Sequence, residues 1–389
     1  MKRVLFVGQS LKIGGVEKAL VEQLNSLDKD TYCVDLFLFS PTGGYINELS
    51  SNIHVLKSPF VLQCAALTNT EAKMHLRTFI LRSLLYIISR IIGNRKLYTI
   101  LFLGIKTLGH YDKAISYFHD GMAKGLYYGC NLFVLNKVDA KSKIAWIHSD
   151  PQIINISEEV NKDIYKRFDA VVSVSYAMKR KIDEMGIFES GHSFVVYNRY
   201  DGNKILQLAK EGVVAKHDKF TIVTVGRLEY YKGTMELLKI ACRLRENGMG
   251  FVWLFIGTGC QQEEAMKFVR DNELSENVLF IGQITNPYPY IKNAELMVSG
   301  SITETFGLSI LEALVLNTPV IAYKYEAIGE VVKNERNGII VNTYDELYKR
   351  LLDILSGEKK IDSIIERSEP LYDYNSLNKE QFDNLIESI

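Results

Sequence analysis

Twice along this chain a short apolar run passes through a glycine-bearing loop into a helix pattern. That repetition limits the possible folds more than any other feature. Lys2–Val7 is the first run, Gly8–Gly15 the first loop and Val16–Leu27 the first helix, with Val16, Ala19, Leu20, Leu24 and Leu27 on one face. Cys33–Phe39, Ala114–Tyr117, Ile144–Ile147 and Ala170–Val174 follow as short apolar strands ending in small or polar residues. At Phe220–Val225 the pattern restarts, with a loop at Gly226–Gly233 and a helix at Thr234–Asn247. Phe251–Ile256, Val278–Ile281, Leu296–Val298, Val320–Ala322 and Gly338–Val341 read as its further strands, and Gln262–Asn272 and Leu308–Leu316 as its helices. Continuous apolar strands alternating with helices predict parallel sheets covered on both faces. The fold class is therefore α/β, with two successive sheet domains. The expected divisions are 1–205, 206–370 and a C-terminal helix over 371–389 that packs back towards the first domain. A length of 389 residues accommodates this.

The net charge is zero, from 46 basic and 46 acidic residues, which excludes a generally basic nucleic-acid binder. The halves differ. Residues 1–200 hold 25 basic and 18 acidic residues, and residues 201–389 hold 21 and 28. The excess of the first half is matched by one segment, 72–111, which carries Lys73, Arg77, Arg82, Arg90, Arg95, Lys96 and Lys106 and no acidic residue. Leu76, Phe79, Ile80, Leu84, Ile87, Ile88, Ile91 and Ile92 lie between them. Such a stretch can rest on an anionic membrane surface, or form packed helices whose Arg and Lys stems run along their edges. Its longest uncharged run, Leu97–Ile105, falls well short of the ~20 residues needed to span a bilayer. The opening MKRVLFVGQS lacks the apolar core of a secretory leader. Five scattered cysteines without metal-ligand spacing point to reduced thiols and a cytoplasmic setting.

Three stretches carry chemistry. In Glu304-Thr-Phe-Gly-Leu-Ser-Ile-Leu-Glu312, the second half reads as a helix over 307–316, stopped by Asn317 and Pro319. Glu312 sits among Leu308, Leu311, Ala313 and Leu316, where a carboxylate needs a polar ligand, a cationic partner or a place on the solvent face. Glu304 precedes a helix N-terminus, whose exposed amides favour an anion. In Val225-Gly226-Arg227-Leu228-Glu229-Tyr230-Tyr231-Lys232-Gly233, a strand end presents Arg227 and Lys232, which can converge on a diphosphate. Taken alone, that loop reads more readily as a solvated surface loop than as a ligand site. Gly14-Gly15 after the first strand permits close backbone approach to a ligand.

Together these residues resemble the GT-B glycosyltransferases, in particular the large retaining family 4 that uses nucleotide-sugar donors. Glu304…Glu312 is similar to its E-x7-E motif, and Val225–Gly233 to its V-G-R-x-x-x-x-K-G loop. Phe280-Ile281-Gly282 resembles the strand end that meets the base, and Leu308–Ala322 the helix-to-strand run that follows the second glutamate. Gly14-Gly15-Val16-Glu17, Phe168–Ser175 and Val196–Asp201 resemble its first-half segments. The resemblance covers most of 1–20 and 110–345. It departs at Glu326-Ala327, where two glycines are usual, at Gly329, where proline is usual, and at Arg199.

The resemblance implies two Rossmann-like domains facing a central cleft. It implies that Arg227 and Lys232 hold the donor diphosphate, Glu304 lies by the donor sugar, and Glu312 bonds the ribose. Thr305, Phe306, Gly307 and Leu308 would present backbone amides, with Gly14, Gly15, Gly226 and Gly282 lining the donor. His119 is the expected catalytic histidine, and His148, Asp150 and Asn198 are acceptor candidates. No metal cofactor is expected, because protein cations take the metal's place. The implied reaction moves a hexose or N-acetylhexosamine from a nucleotide sugar, by family frequency a UDP-sugar, to a lipid-linked saccharide or surface polysaccharide at the inner membrane face. The alternatives are a sugar-nucleotide epimerase of the same fold and a non-catalytic subunit of a transferase complex.

Overall fold

The computed structural model describes residues 1–120, 125–189, 191–212, 217–359 and 373–389. The chain divides into two compact units, Met1–Tyr200 with Tyr374–Ile389, and Asp201–Asp373. The division falls at 200/201 rather than at 205/206. The Asp201 carboxylate accepts the Lys204 N–H and starts a helix, Gly202–Leu208, that packs on helices Tyr288–Asn293 and Leu308–Val315 of the second unit.

The first unit is built on seven parallel strands: β1 (Lys2–Gly8), β2 (Tyr32–Leu38), β3 (His54–Val55), β4 (Leu108–Ser116), β5 (Val138–Ile147), β6 (Ala170–Ser173) and β7 (Ser193–Val195), in the order β3-β2-β1-β4-β5-β6-β7. Val4 lies opposite Val34 on one side and Lys113 on the other. The second unit has β8 (Phe220–Val225), β9 (Phe251–Ile256), β10 (Val278–Gly282), β11 (Leu296–Ser299), β12 (Val320–Tyr323) and β13 (Ile339–Val341), in the order β10-β9-β8-β11-β12-β13. In each sheet the winding reverses beside the first strand, between β1 and β4 and between β8 and β11. Ligands of open α/β sheets bind beyond the strand ends at such reversals.

Each unit has its own core. In the second, Trp253 and Phe255 of β9 pack with Leu237, Leu238, Leu347 and Leu351 from helices Thr234–Glu246 and Tyr344–Leu355. In the first, Phe37 stacks on Phe133 at 4.4 Å, with Phe39, Tyr98 and Phe102 around them. The C-terminal helix, Tyr374–Ser388, belongs to this unit. Its Phe382 lies against Phe6, Tyr32 and Trp146, and its buried Asn378 donates to Gln23 Oε1 and the Tyr197 carbonyl. Arg199, a departure from the family pattern, donates to the Asn375 carbonyl and Asn378 Oδ1, so it fastens this helix.

Segment 72–111 forms helices Leu76–Ile92 and Asn94–Phe102, broken at Gly93, whose φ of 81° is left-handed. Leu85 and Ser89 face inward. Arg82 also turns inward and donates to the Leu67 carbonyl at 2.6 Å and to Asn69. Among the described residues, no helix is long and apolar enough to cross a membrane.

Candidate active site

In the second unit the two loops at the sheet reversal interlock. The chain leaves β8 through Gly226-Arg227 and turns at Tyr230–Lys232. It leaves β11 through Gly300-Ser301-Ile302. Ile302 N–H donates to the Tyr231 carbonyl at 2.9 Å. Gly233 has φ 69°, and a Cβ there would stand 2.3 Å from the Gly300 carbonyl oxygen, so the two turns touch backbone to backbone. This contact brings Lys232 onto Glu304, where Nζ and Oε1 form a partly buried ion pair. Ser301 Oγ donates to the same carboxylate oxygen at 3.0 Å. The Arg227 guanidinium bonds the Tyr231 hydroxyl and lies 5.5 Å from its ring centroid. Burial raises the pKa of Tyr231, against the opposing pull of Arg227. Tyr231 is not among the sequence candidates, although it lies inside the motif.

Helix Leu308–Val315 starts from Gly307 in the left-handed conformation, φ 94°. A Cβ at Gly307 would meet the Tyr325 hydroxyl at 2.3 Å, so any larger residue would have both to strain its backbone and to displace that hydroxyl. The first donors back to Gly307 are Ile310 and Leu311, which leaves the opening amides without partners inside the helix. Thr305, Phe306, Gly307 and Leu308 therefore lie together at this N-terminus, directly after Glu304. Glu312, a turn further on, is 8% exposed and accepts from the Tyr288 hydroxyl at 3.1 Å. Nothing local in the sequence announces that tyrosine, which comes from another helix.

Gly282 ends β10. Its carbonyl accepts the Gly257 N–H at 2.8 Å, and the Gly226 N–H donates to the Ile256 carbonyl. A Cβ at Gly257 would stand 1.9 Å from the Gly226 carbonyl oxygen. Gly226, Gly257 and Gly282 thus line the carboxyl ends of three adjacent strands, β8, β9 and β10, with Gly257 a member the sequence candidates lack.

In the first unit, Gly14 precedes and Gly15 opens helix Gly15–Asn25 after β1. Beyond β4 the chain runs Tyr117-Phe118-His119-Asp120. His119 Nδ1 is buried with no hydrogen-bond partner, and burial lowers the histidine's pKa to about 4. His148, beyond β5, packs against Tyr117 at 4.4 Å and stacks on Trp146. Burial, then the neighbouring His119, drives its pKa well down. Two neutral imidazoles therefore end adjacent strands. Asp120 is buried, and its carboxylate accepts the amides of Gly129 at 2.8 Å and Asn131 at 3.1 Å. It replaces the missing cap of helix Cys130–Lys137, whose N-cap residue Gly129 is held against Tyr98 with φ 104°. Burial outweighs these amides and pushes the Asp120 pKa up to about 7.

The other two acceptor candidates differ. Asp150 is committed within the fold, with Lys181 Nζ at 2.6 Å on one oxygen and the Gln152 N–H at 2.9 Å on the other. Asn198 is buried, and its Oδ1 has no hydrogen-bond partner.

Residues 207–369 match the family described as Glycosyl transferases group 1. The matched residues lie wholly within the second unit, and the two parallel-sheet units are of the GT-B fold class. Among relatives, the chain is 27% identical over 168 residues to a Campylobacter jejuni N-acetylgalactosamine-N,N'-diacetylbacillosaminyl-diphospho-undecaprenol 4-alpha-N-acetylgalactosaminyltransferase, covering 42% of this chain and 45% of that protein. It is 24% identical over 166 residues to the Acholeplasma laidlawii alpha-monoglucosyldiacylglycerol synthase, covering 42% of each. The chain thus spans about half the length, or less, of the curated relatives it matches. Two solved structures share the fold along the whole chain. Anabaena Alr3699/HepE in complex with UDP and glucose has TM-score 0.66 and 18% identity over 99% of both chains. A mutant of S. aureus TarM, in complex with fondaparinux, alpha-GlcNAc-glycerol and UDP, has TM-score 0.65 and 14% identity over 99% of this chain and 100% of that one.

Proposed function

We propose that this protein is a glycosyltransferase moving a hexose or N-acetylhexosamine from a nucleotide sugar, with UDP the favoured carrier, to a lipid-linked saccharide or surface polysaccharide with retention of anomeric configuration. The observation that carries the reading is the junction of Arg227, Lys232, Glu304 and the 308–315 helix N-terminus at the β8/β11 reversal. When the anomeric C–O bond breaks, positive charge grows on the sugar and negative charge on the diphosphate. Arg227, Lys232 and the opening amides of the helix are fixed cations and dipoles for that negative charge. This reading calls for no metal. Glu304 holds Lys232 in place and lies by the sugar, and Glu312, steadied by Tyr288, takes the ribose hydroxyls. Neutral His119 is the catalytic imidazole of this reading, and His148 and Asn198 serve the acceptor. Asp150 serves as an anchor for Lys181.

The relatives whose names carry a diphospho-undecaprenol or a diacylglycerol group support this acceptor class. Thermal unfolding with UDP-, GDP-, ADP- and TDP-sugars tests the donor, since a ligand of the folded state raises the midpoint. Loss of donor sugar without any acceptor, with an epimerised product, would instead identify an isomerase on the same fold. Absence of any donor shift would remove the donor site itself.

A further inference from the structure

Helix Leu76–Ile92 of the first unit has a second face that its own core does not use. Leu76, Ile80, Leu84, Ile87 and Ile91 recur three and four residues apart and form one stripe along the helix. They point outward: Leu76 is 73% exposed, Ile87 54% and Ile91 76%. Singly exposed apolar residues are ordinary, but a continuous stripe over the length of a helix marks a surface that meets something apolar. The opposite face, with Leu85, Ser89 and the inward Arg82, already packs in the unit, so the helix cannot bury its stripe by rolling over.

The charge around the stripe says what it meets. At 100° per residue Arg77 falls on one flank and Arg90 on the other, and both are exposed. Lys73, Arg95 and Lys96 are exposed beyond the two ends, and no acidic residue occurs from 72 to 111. An apolar stripe between cationic flanks, on a segment that carries no acidic residue, is complementary to an anionic lipid surface. We infer that helix Leu76–Ile92 lies in the interface of an anionic bilayer, with its stripe among the acyl chains and Arg77 and Arg90 at the phosphates.

Flotation of the full chain with phosphatidylglycerol–phosphatidylcholine vesicles tests this. The wild type is expected to float with these vesicles and to stay behind with phosphatidylcholine alone. Arg77→Gln and Arg90→Gln should each weaken partition about fivefold, and added salt should do the same. Leu84→Ser combined with Ile87→Ser and Ile91→Ser should abolish flotation while the far-ultraviolet circular dichroism is unchanged, since these side chains are exposed. A wild type that does not float with anionic vesicles overturns the inference, as does a triple variant that still floats. A wild-type dimer that ignores vesicles and becomes monomeric on the same triple substitution assigns the stripe to a second copy, and overturns it equally. No sugar substrate enters the measurement, so its failure leaves the transferase reading standing.

Discussion

Lys232 and Glu304 come from loops after different strands, yet they close on each other as an ion pair. The pair fixes Lys232 in place, and under the proposed function that is the preorganisation that electrostatic catalysis needs. Lys232→Ala is expected to lower kcat by about 10²–10³-fold, the usual cost of losing one fixed donor to a developing anion. Steady-state assays on a variant with wild-type thermal stability check this, and near-normal turnover would exclude Lys232 from the diphosphate. His119 and Asp120 make a second prediction. His119 titrates at 6.5 unfolded and about 4 folded, so the unfolded chain takes its proton first and this residue's contribution to stability rises with pH across that window. Asp120 has the opposite sign. Between 3.8 and about 7 the folded chain keeps a proton that the unfolded chain has lost, so its contribution falls as pH rises. Relative to wild type, Asp120→Asn should therefore gain stability as pH rises from 4 to 7, and His119→Gln should lose it from 4 to 6.5. Urea unfolding at stepped pH reads both, and curves parallel to wild type would contradict the burial of these groups.

The elements follow from a few close contacts. The β8 and β11 turns meet because Gly233 has no side chain to strike the Gly300 carbonyl, and helix 308–315 starts where it does because Gly307 tolerates φ 94°. Gly307→Ala should destabilise the second unit by about 1 kcal/mol for the left-handed backbone and further for its collision with Tyr325. The C-terminal helix is held by Phe382, which is 1% exposed among Phe6, Tyr32 and Trp146. Phe382→Ala should cost about 3–5 kcal/mol. Chemical denaturation is the check, and a loss under 1 kcal/mol would mean the helix docks by its polar bonds alone.

At the scale of the whole molecule, each unit carries one buried tryptophan, Trp146 in the first and Trp253 in the second. This separates their unfolding. Trp146→Phe leaves a reporter of the second unit, and Trp253→Phe one of the first. UDP at about 100 times its Kd should stabilise the transition seen by Trp253 by about 2.7 kcal/mol. Equal shifts at both reporters would show that the units unfold as one.

Much of this architecture is legible from periodicity. The strands at 2–7, 220–225 and 251–256 are short, largely apolar runs with glycine just after them, and each is an interior strand of its sheet. β3 and β7 escape such a reading because two or three edge residues carry no period. Glu304, Glu312, Arg227 and Lys232 stand out because charge at a strand end or on an apolar helix is expensive without a use. Their partners do not. Ser301, Tyr288 and Tyr231 are ordinary residues until the sheet reversal gathers them, and Asp120 becomes a cap only when the chain folds back to Gly129. The sequence by itself determined two parallel α/β units, their strand ends and the charges placed there, because pattern and propensity act over a few neighbours. Only the tertiary structure decided that Lys232 pairs with Glu304, that Asp150 is spent on Lys181, and that Arg82 turns inward while Arg77 and Arg90 remain outside. Those outcomes depend on which distant groups share a low-dielectric space, and no local spacing encodes that.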